Sequence, residues 1–239
     1  MSSKKPVKKQ PRKQVSSWVI FFISLAIIVA LVAVIKFTGN PKPIVPDQPT
    51  VFTPTHRAEI VLEGYGTIKL DLDANAAPLT VANFAELSNS GFYAGLTFHR
   101  NIEGFMMQGG DPLGNGYGDS GQSIKGEFVT TGVPHTLSRT RGAISMARSA
   151  KYDSASCQFF IVHQDATEHL DGDYACFGNV TEGMDIVDKI CAEATPMDSN
   201  GLIMVEQRPR IQTIKVEPIE LRFSCKKHPF GCFFACFML

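Results

Sequence analysis

Residues Phe98 to Asp111 read FHRNIEGFMMQGGD. Arg100 stands a short way ahead of the apolar pair Phe105 and Met106, and the amide of Gln108 lies between that pair and two glycines. A guanidinium beside a compact apolar patch can hold an apolar ring and aim positive charge at its polar edge. The stretch has no nucleophile–base pair, so it points to catalysis by shape and electrostatics, or to binding without chemistry. Taken singly, Arg100 also fits a surface ion pair, and Phe105, Met106, Phe159 and Phe160 also fit an ordinary core. Strand alternation would place Phe159 and Phe160 on opposite faces, so one of them belongs to the core.

Other residues that could do chemistry form weaker patterns. Ser145 and Ser154 have histidines elsewhere in the chain, but neither sits in a nucleophile elbow. Gly114, Gly116, Gly118 and Gly121 make a glycine-rich loop without the Gly-Lys-Ser/Thr ending and following helix of a phosphate cradle. His163, Asp165, Glu168, His169, Asp171 and Asp173 crowd one segment, yet match no HExxH or EF-hand spacing, and Asp171-Gly172 reads as a turn. Cys157, Cys176 and Cys191 lie in apolar surroundings and read as small buried hydrophobes. Cys225, His228, Cys232 and Cys236 resemble a zinc set superficially, but residues 221–239 read better as an atypical Cys- and Phe-rich extension. No metal site is assigned.

The elements that must position Arg100 and its neighbours follow from periodicity. Ala58–Leu62 and Thr67–Leu72 around Gly64-Tyr65-Gly66 read as a hairpin. Pro78–Ser90 reads as a helix with Thr80 as N-cap, an apolar face of Val81, Phe84, Ala85 and Leu87, and Gly91 as its stop. Short strands are expected around Thr97–Arg100, Phe105–Gln108, Ala143–Met146, Gln158–Val162 and Ala175–Val180, a second helix over Gly183–Ala192, and a last strand within Val205–Glu217. Many short strands with two helices suggest a mainly β protein, a closed barrel capped by helices.

The chain has 239 residues and no formal net charge, but the charge is uneven. Residues 1–17 hold six of the 23 basic residues and no acid, leaving 17 basic against 23 acidic, a formal −6, in the rest. An acidic body argues against nucleic-acid binding. Trp18 to Ile35 is an uncharged run of 18 residues, roughly 27 Å as a helix. The division expected is a basic cytoplasmic tail over 1–17, a transmembrane helix over 18–37, a Pro-rich linker over 38–56, a folded domain over 57–220 and the extension over 221–239. The rival for the apolar run is a cleaved signal peptide, but the run is longer than a usual h-region and no small-x-small site follows. With the basic tail inside, the domain would sit outside the cell membrane on a single-pass anchor.

Four blocks, FHRNIEGFMMQGGD, GAISMARS from Gly142, SASCQFFI from Ser154 and HLDGDYACFGNV from His169, together resemble the cyclophilin family of peptidyl-prolyl cis–trans isomerases, most closely its bacterial members. The resemblance covers about 57–220. It implies an eight-stranded antiparallel β-barrel with a helix at each end, isomerisation of X-Pro bonds, no cofactor, and proline-containing, exported polypeptides as partners. Carried onto this chain, it implies an apolar proline pocket of Phe105, Met106, Phe160 and Leu170, with Arg100 facing the imide nitrogen. Gln108 and the backbone near Ala147 and Arg148 would hold the substrate chain, and His99 precedes the arginine as in the family. His169 stands where many members carry a tryptophan that contacts cyclosporin, which implies weak or no cyclosporin binding. Tyr174 stands where many have a histidine; its ring can pack and its hydroxyl can donate. A monomeric domain is expected. The rival reading is a non-catalytic proline-motif binder or chaperone on the same groove.

Overall fold

A computed structural model describes residues 52–133 and 137–220, apart from the His169 side chain. The basic tail, the apolar run, most of the linker and the extension lie outside the described residues. Among the described residues no helix is long and apolar enough to cross a membrane.

Eight strands follow in chain order: β1 (His56–Leu62), β2 (Gly66–Leu72), β3 (Phe98–Ile102), β4 (Met106–Gly109), β5 (Ala143–Met146), β6 (Phe159–Val162), β7 (Cys176–Glu182) and β8 (Ile211–Pro218). They form one sheet in the order β3-β4-β6-β5-β7-β2-β1-β8, with every pairing antiparallel. Two helices pack on it, α1 (Pro78–Asn89) and α3 (Met184–Glu193), and a single turn, α2 (Thr167–Leu170), lies between β6 and β7. The two end strands share no ladder. They approach at a bridge between Thr97 and Arg210, where the Phe98 N–H donates to the Pro209 carbonyl at 2.9 Å.

The expected hairpin forms by alternation. Ala58, Ile60 and Leu62 of β1 and Ile68, Leu70 and Leu72 of β2 are buried, in register through the Ile60–Ile68 pair. The last strand occupies only the later part of the expected Val205–Glu217 segment. Val205–Gln207 is a 3-10 turn, and Pro209, which has no N–H to give a ladder, precedes β8.

Helix α1 begins at Pro78, whose fixed φ suits a first helical position, after Ala77 as N-cap. Thr80 is therefore inside the first turn and is not the cap. The orphan amides there are met from across the fold: the buried Glu127 carboxylate accepts from the Leu79 N–H (3.0 Å), the Thr80 N–H (2.8 Å) and the Thr80 hydroxyl (2.8 Å). A negative charge at this end also suits the helix dipole.

Strand alternation divides the apolar residues into two clusters. Phe159 and Met107 face the main core, where the Phe159 ring meets Phe84, Tyr93 and Phe98 edge-on with centroids 5.3, 5.5 and 5.7 Å away. Their neighbours Phe160 and Met106 face the other way, into a smaller cluster with Leu137, Val162, Leu170 and Cys176. Cys157, Cys176 and Cys191 are buried free thiols.

Candidate active site

The smaller cluster opens to solvent as a groove of about 200 Å³. In one row across the sheet, Arg100 of β3 pairs with Gln108 of β4, and Gln108 pairs with Phe160 of β6. Met106, two residues before Gln108 on β4, shares its face. Phe105 enters from the β3–β4 turn, Ala147 and Arg148 from the end of β5, Leu170 from α2, and Tyr174 from the loop before β7. Nine side chains named from four separated sequence blocks thus line one cavity.

A hydrogen-bonded relay fixes the polar wall. Arg100 Nε donates to the Asn200 carbonyl at 2.5 Å, and Nη1 donates to Gln108 Oε1 at 3.0 Å. Gln108 Nε2 donates to Gln158 Oε1 at 2.9 Å, and Gln158 Nε2 donates to the carbonyls of Gly116 and Gly118 at 3.1 and 2.8 Å. Arginine can only donate and a carbonyl can only accept, so the ends set both amide orientations between them. The receiving loop is held by buried Asp111, whose carboxylate accepts from the amides of Leu113, Asn115 and Gly116. A Cβ at Gly118 would collide with that carboxylate. Among the described residues the Nη2 group of Arg100 has no hydrogen-bond partner, and Arg100 lines the groove. Half-burial lowers the Arg100 pKa, opposed by Tyr174 and Asp198, but a guanidinium stays charged.

The opposite wall is aromatic. The Tyr174 ring meets Phe160 edge-on at 5.8 Å, and the Arg148 guanidinium lies 4.7 Å from the Tyr174 centroid. Arg148 also lies 5.1 and 5.2 Å from the rings of Tyr152 and Phe128, and its Nε donates to the Asp173 carbonyl at 2.7 Å. The side chain of Arg148 is therefore the support of Tyr174. Beside the groove lies a larger cavity of about 620 Å³ that shares Gln108, Ala147 and Arg148 with it and adds Tyr117, Lys151 and Gln158.

Comparison with known proteins bears on the same segments. Residues 57–217 match the model of the cyclophilin type peptidyl-prolyl cis-trans isomerase family. The chain belongs to that family. It is 47% identical over 148 residues to peptidyl-prolyl cis-trans isomerase B of Bacillus subtilis, which covers 62% of this chain and 94% of the relative. It is 44% identical over 127 residues to a peptidyl-prolyl cis-trans isomerase of Helicobacter pylori, covering 52% and 74%. The fold superposes with a TM-score of 0.59, at 30% identity, on a Cryptosporidium parvum cyclophilin type isomerase crystallised in the presence of the dipeptide Ala-Pro, covering 67% of this chain and 98% of that one. The chain is a peptidyl-prolyl cis-trans isomerase.

Within this cyclophilin-type groove one expected member is missing. His99 is 1% exposed and lies outside the lining. It is the extra residue of a bulge, since Phe98 pairs with Gly109 and Arg100 with Gln108, so its ring turns into the protein while Arg100 faces the groove. Among the described residues neither ring nitrogen has a hydrogen-bond partner of good geometry, although the Thr97 backbone lies near enough to favour the protonated ring. Burial lowers the His99 pKa to about 4; Asp111 acts the other way, and Arg208 and Arg100 add to the lowering. His169 lies on α2. Gln158 lines the larger cavity and accepts from Gln108, which the two cavities share; its one signal in the sequence is its place two residues before Phe160. Among the described residues no group of three potential ligands could hold a metal.

Proposed function

We propose that this groove accelerates X-Pro rotation by binding the twisted amide more tightly than either planar isomer, with Arg100 as the donor. The observation that carries the proposal is the Arg100 guanidinium, fixed by Asn200 and Gln108 with Nη2 left over, at the rim of an apolar cavity. Amide resonance sets a rotation barrier of about 18–20 kcal/mol. As the bond twists, resonance fails and the nitrogen becomes pyramidal with an exposed lone pair. A donor aimed at that pair acts on the transition state and little on the ground states, which is what catalysis requires.

A charge-assisted hydrogen bond contributes about 1.5–3 kcal/mol, or one to two decades of rate. Arg100 therefore supplies part of the acceleration. Phe105, Met106, Phe160 and Leu170 supply a water-poor seat for the proline ring, and Gln108 with the backbone at Ala147 and Arg148 holds the flanking chain. That chain runs on into the larger neighbouring cavity. Charge is not transferred and no bond is made or broken, so the reaction needs no cofactor.

The reading extends to the setting. The apolar run over 18–37, the basic tail before it and the Pro-rich linker after it support a bacterial-type, membrane-anchored isomerase, a monomeric domain outside the membrane acting on exported proteins. The Thr97–Arg210 bridge supports closure of the sheet into a barrel. Cyclosporin binding is weak, because His169 replaces the tryptophan of many relatives. The full-length protein mixed with a prolyl tetrapeptide should speed cis–trans exchange measured by NMR. Peptide binding without faster exchange would refute the proposed mechanism.

A further inference from the structure

Behind the turn that carries Phe105 lies a polar cluster that the groove chemistry does not use. Arg141 precedes β5, His163 follows β6 and Asp188 lies on α3. Arg141 Nη2 donates to both Asp188 oxygens at 2.7 Å, and Nη1 donates to the His163 carbonyl at 2.7 Å. His163 is buried, and its Nε2 lies 3.2 Å from Asp188 Oδ1. The Gly104 N–H donates to His163 Nδ1 at 2.9 Å, and the His163 N–H donates to the Phe105 carbonyl at 2.9 Å. Because Nδ1 accepts, the proton of the neutral ring sits on Nε2 and faces Asp188. All four polar groups of His163 are thus used, two on the β3–β4 turn and two on the Arg141–Asp188 pair.

The turn has few other holds. Gly104 takes φ +78°, a conformation that strains other residues, and the Phe105 N–H closes the turn on the Ile102 carbonyl at 3.0 Å. Phe105 itself is only partly buried, with the groove on one side.

We propose that His163, held by Asp188 and Arg141, is a positioning residue that sets the Phe105 wall of the proline groove. The proposal rests on the reading of that groove as the proline site. Loss of the Nδ1 acceptor leaves the Gly104 N–H without its partner, and the wall is then held only by backbone hydrogen bonds, the His163 N–H to the Phe105 carbonyl and the Phe105 N–H to the Ile102 carbonyl. Loosening one wall, with the rest of the apolar seat in place, weakens packing on the proline ring in every state of the reaction, and that uniform loss appears in KM before kcat. A histidine that only braces the fold would change stability without that split.

The test compares full-length wild type, His163→Leu and His163→Asn, reading KM and kcat for a prolyl tetrapeptide and hydrogen exchange at the Gly104 amide. Asparagine can place Oδ1 where Nδ1 stands and keep the Gly104 bond. His163→Leu should raise KM about three- to tenfold with kcat within about twofold, the weight of one net hydrogen bond, and speed Gly104 exchange. His163→Asn should restore both readouts to within about twofold of wild type, since it keeps the acceptor. Unchanged KM in His163→Leu, equal impairment in both variants, or a loss confined to kcat would overturn the proposal. If the wild type does not speed proline exchange, the proline reading fails. The Gly104 arm then still decides the anchor: faster exchange in the leucine variant alone supports it, and equal exchange in all three overturns it.

Discussion

Acid should cost this domain stability through one residue, His99. The ring is buried, and that burial lowers its pKa from the ordinary 6.5 to about 4. Above about pH 6.5 the ring is neutral both folded and unfolded, and the linkage is silent. Below that, the unfolded chain takes up the proton and the folded one does not, so stability falls until the folded pKa near 4 is reached. The full window corresponds to about 3 kcal/mol, and by about pH 4.5 most of it, about 2.5 kcal/mol, has been lost. A His99→Leu variant cannot take up that proton. Urea unfolding of the full-length protein, followed by far-UV circular dichroism at about pH 7 and about pH 4.5, isolates the term as the difference between the two proteins. Every other titrating group cancels in that difference. The reasoning predicts that wild type loses about 2.5 kcal/mol more than the variant over this interval. Equal losses would refute it, and so would a greater loss in the variant.

Two further expectations concern the groove. Gln158→Leu removes the acceptor that orients Gln108 and the donor to the Gly116 and Gly118 carbonyls; kcat/KM for a prolyl peptide should fall about two- to tenfold, the weight of one neutral hydrogen bond, and an unchanged value would remove the relay from the mechanism. His169→Trp should raise cyclosporin affinity by roughly tenfold or more, the weight of an aromatic anchor at an interface; titration calorimetry with unchanged affinity would show that this position does not control the inhibitor.

What could be read before the structure was local. Alternation in β1 and β2 and the apolar face of α1 are written within a few residues, and so are the groove-facing Met106 and Gln108. The contrast between Phe159 and Phe160 follows from the same two-residue period, although the family resemblance was needed to say which faced the groove. The misses are long-range or one residue wide. Glu127 caps α1 from 47 residues away, so Thr80 looked like the cap. Gln158 acts through two loop carbonyls 40 and 42 residues distant, which no local pattern announces. The family resemblance implied His99 beside Arg100 at the site, but a bulge between Phe98 and Arg100 turns it inward. The last strand fills only the later part of the expected Val205–Glu217 segment, because Val205–Gln207 is a 3-10 turn and Pro209 delays the ladder to Ile211.

The central claim is that Arg100 serves the twisted amide and not the planar ones. NMR exchange on the full-length protein gives both the peptide affinity and the rate of interconversion on the enzyme, for wild type and Arg100→Ala. The account predicts a fall in the on-enzyme rate of at least about tenfold, the low end of a charge-assisted hydrogen bond, with peptide affinity within about twofold and the domain folded. A folded variant that keeps its rate, or one that loses affinity and rate in equal measure, would contradict it.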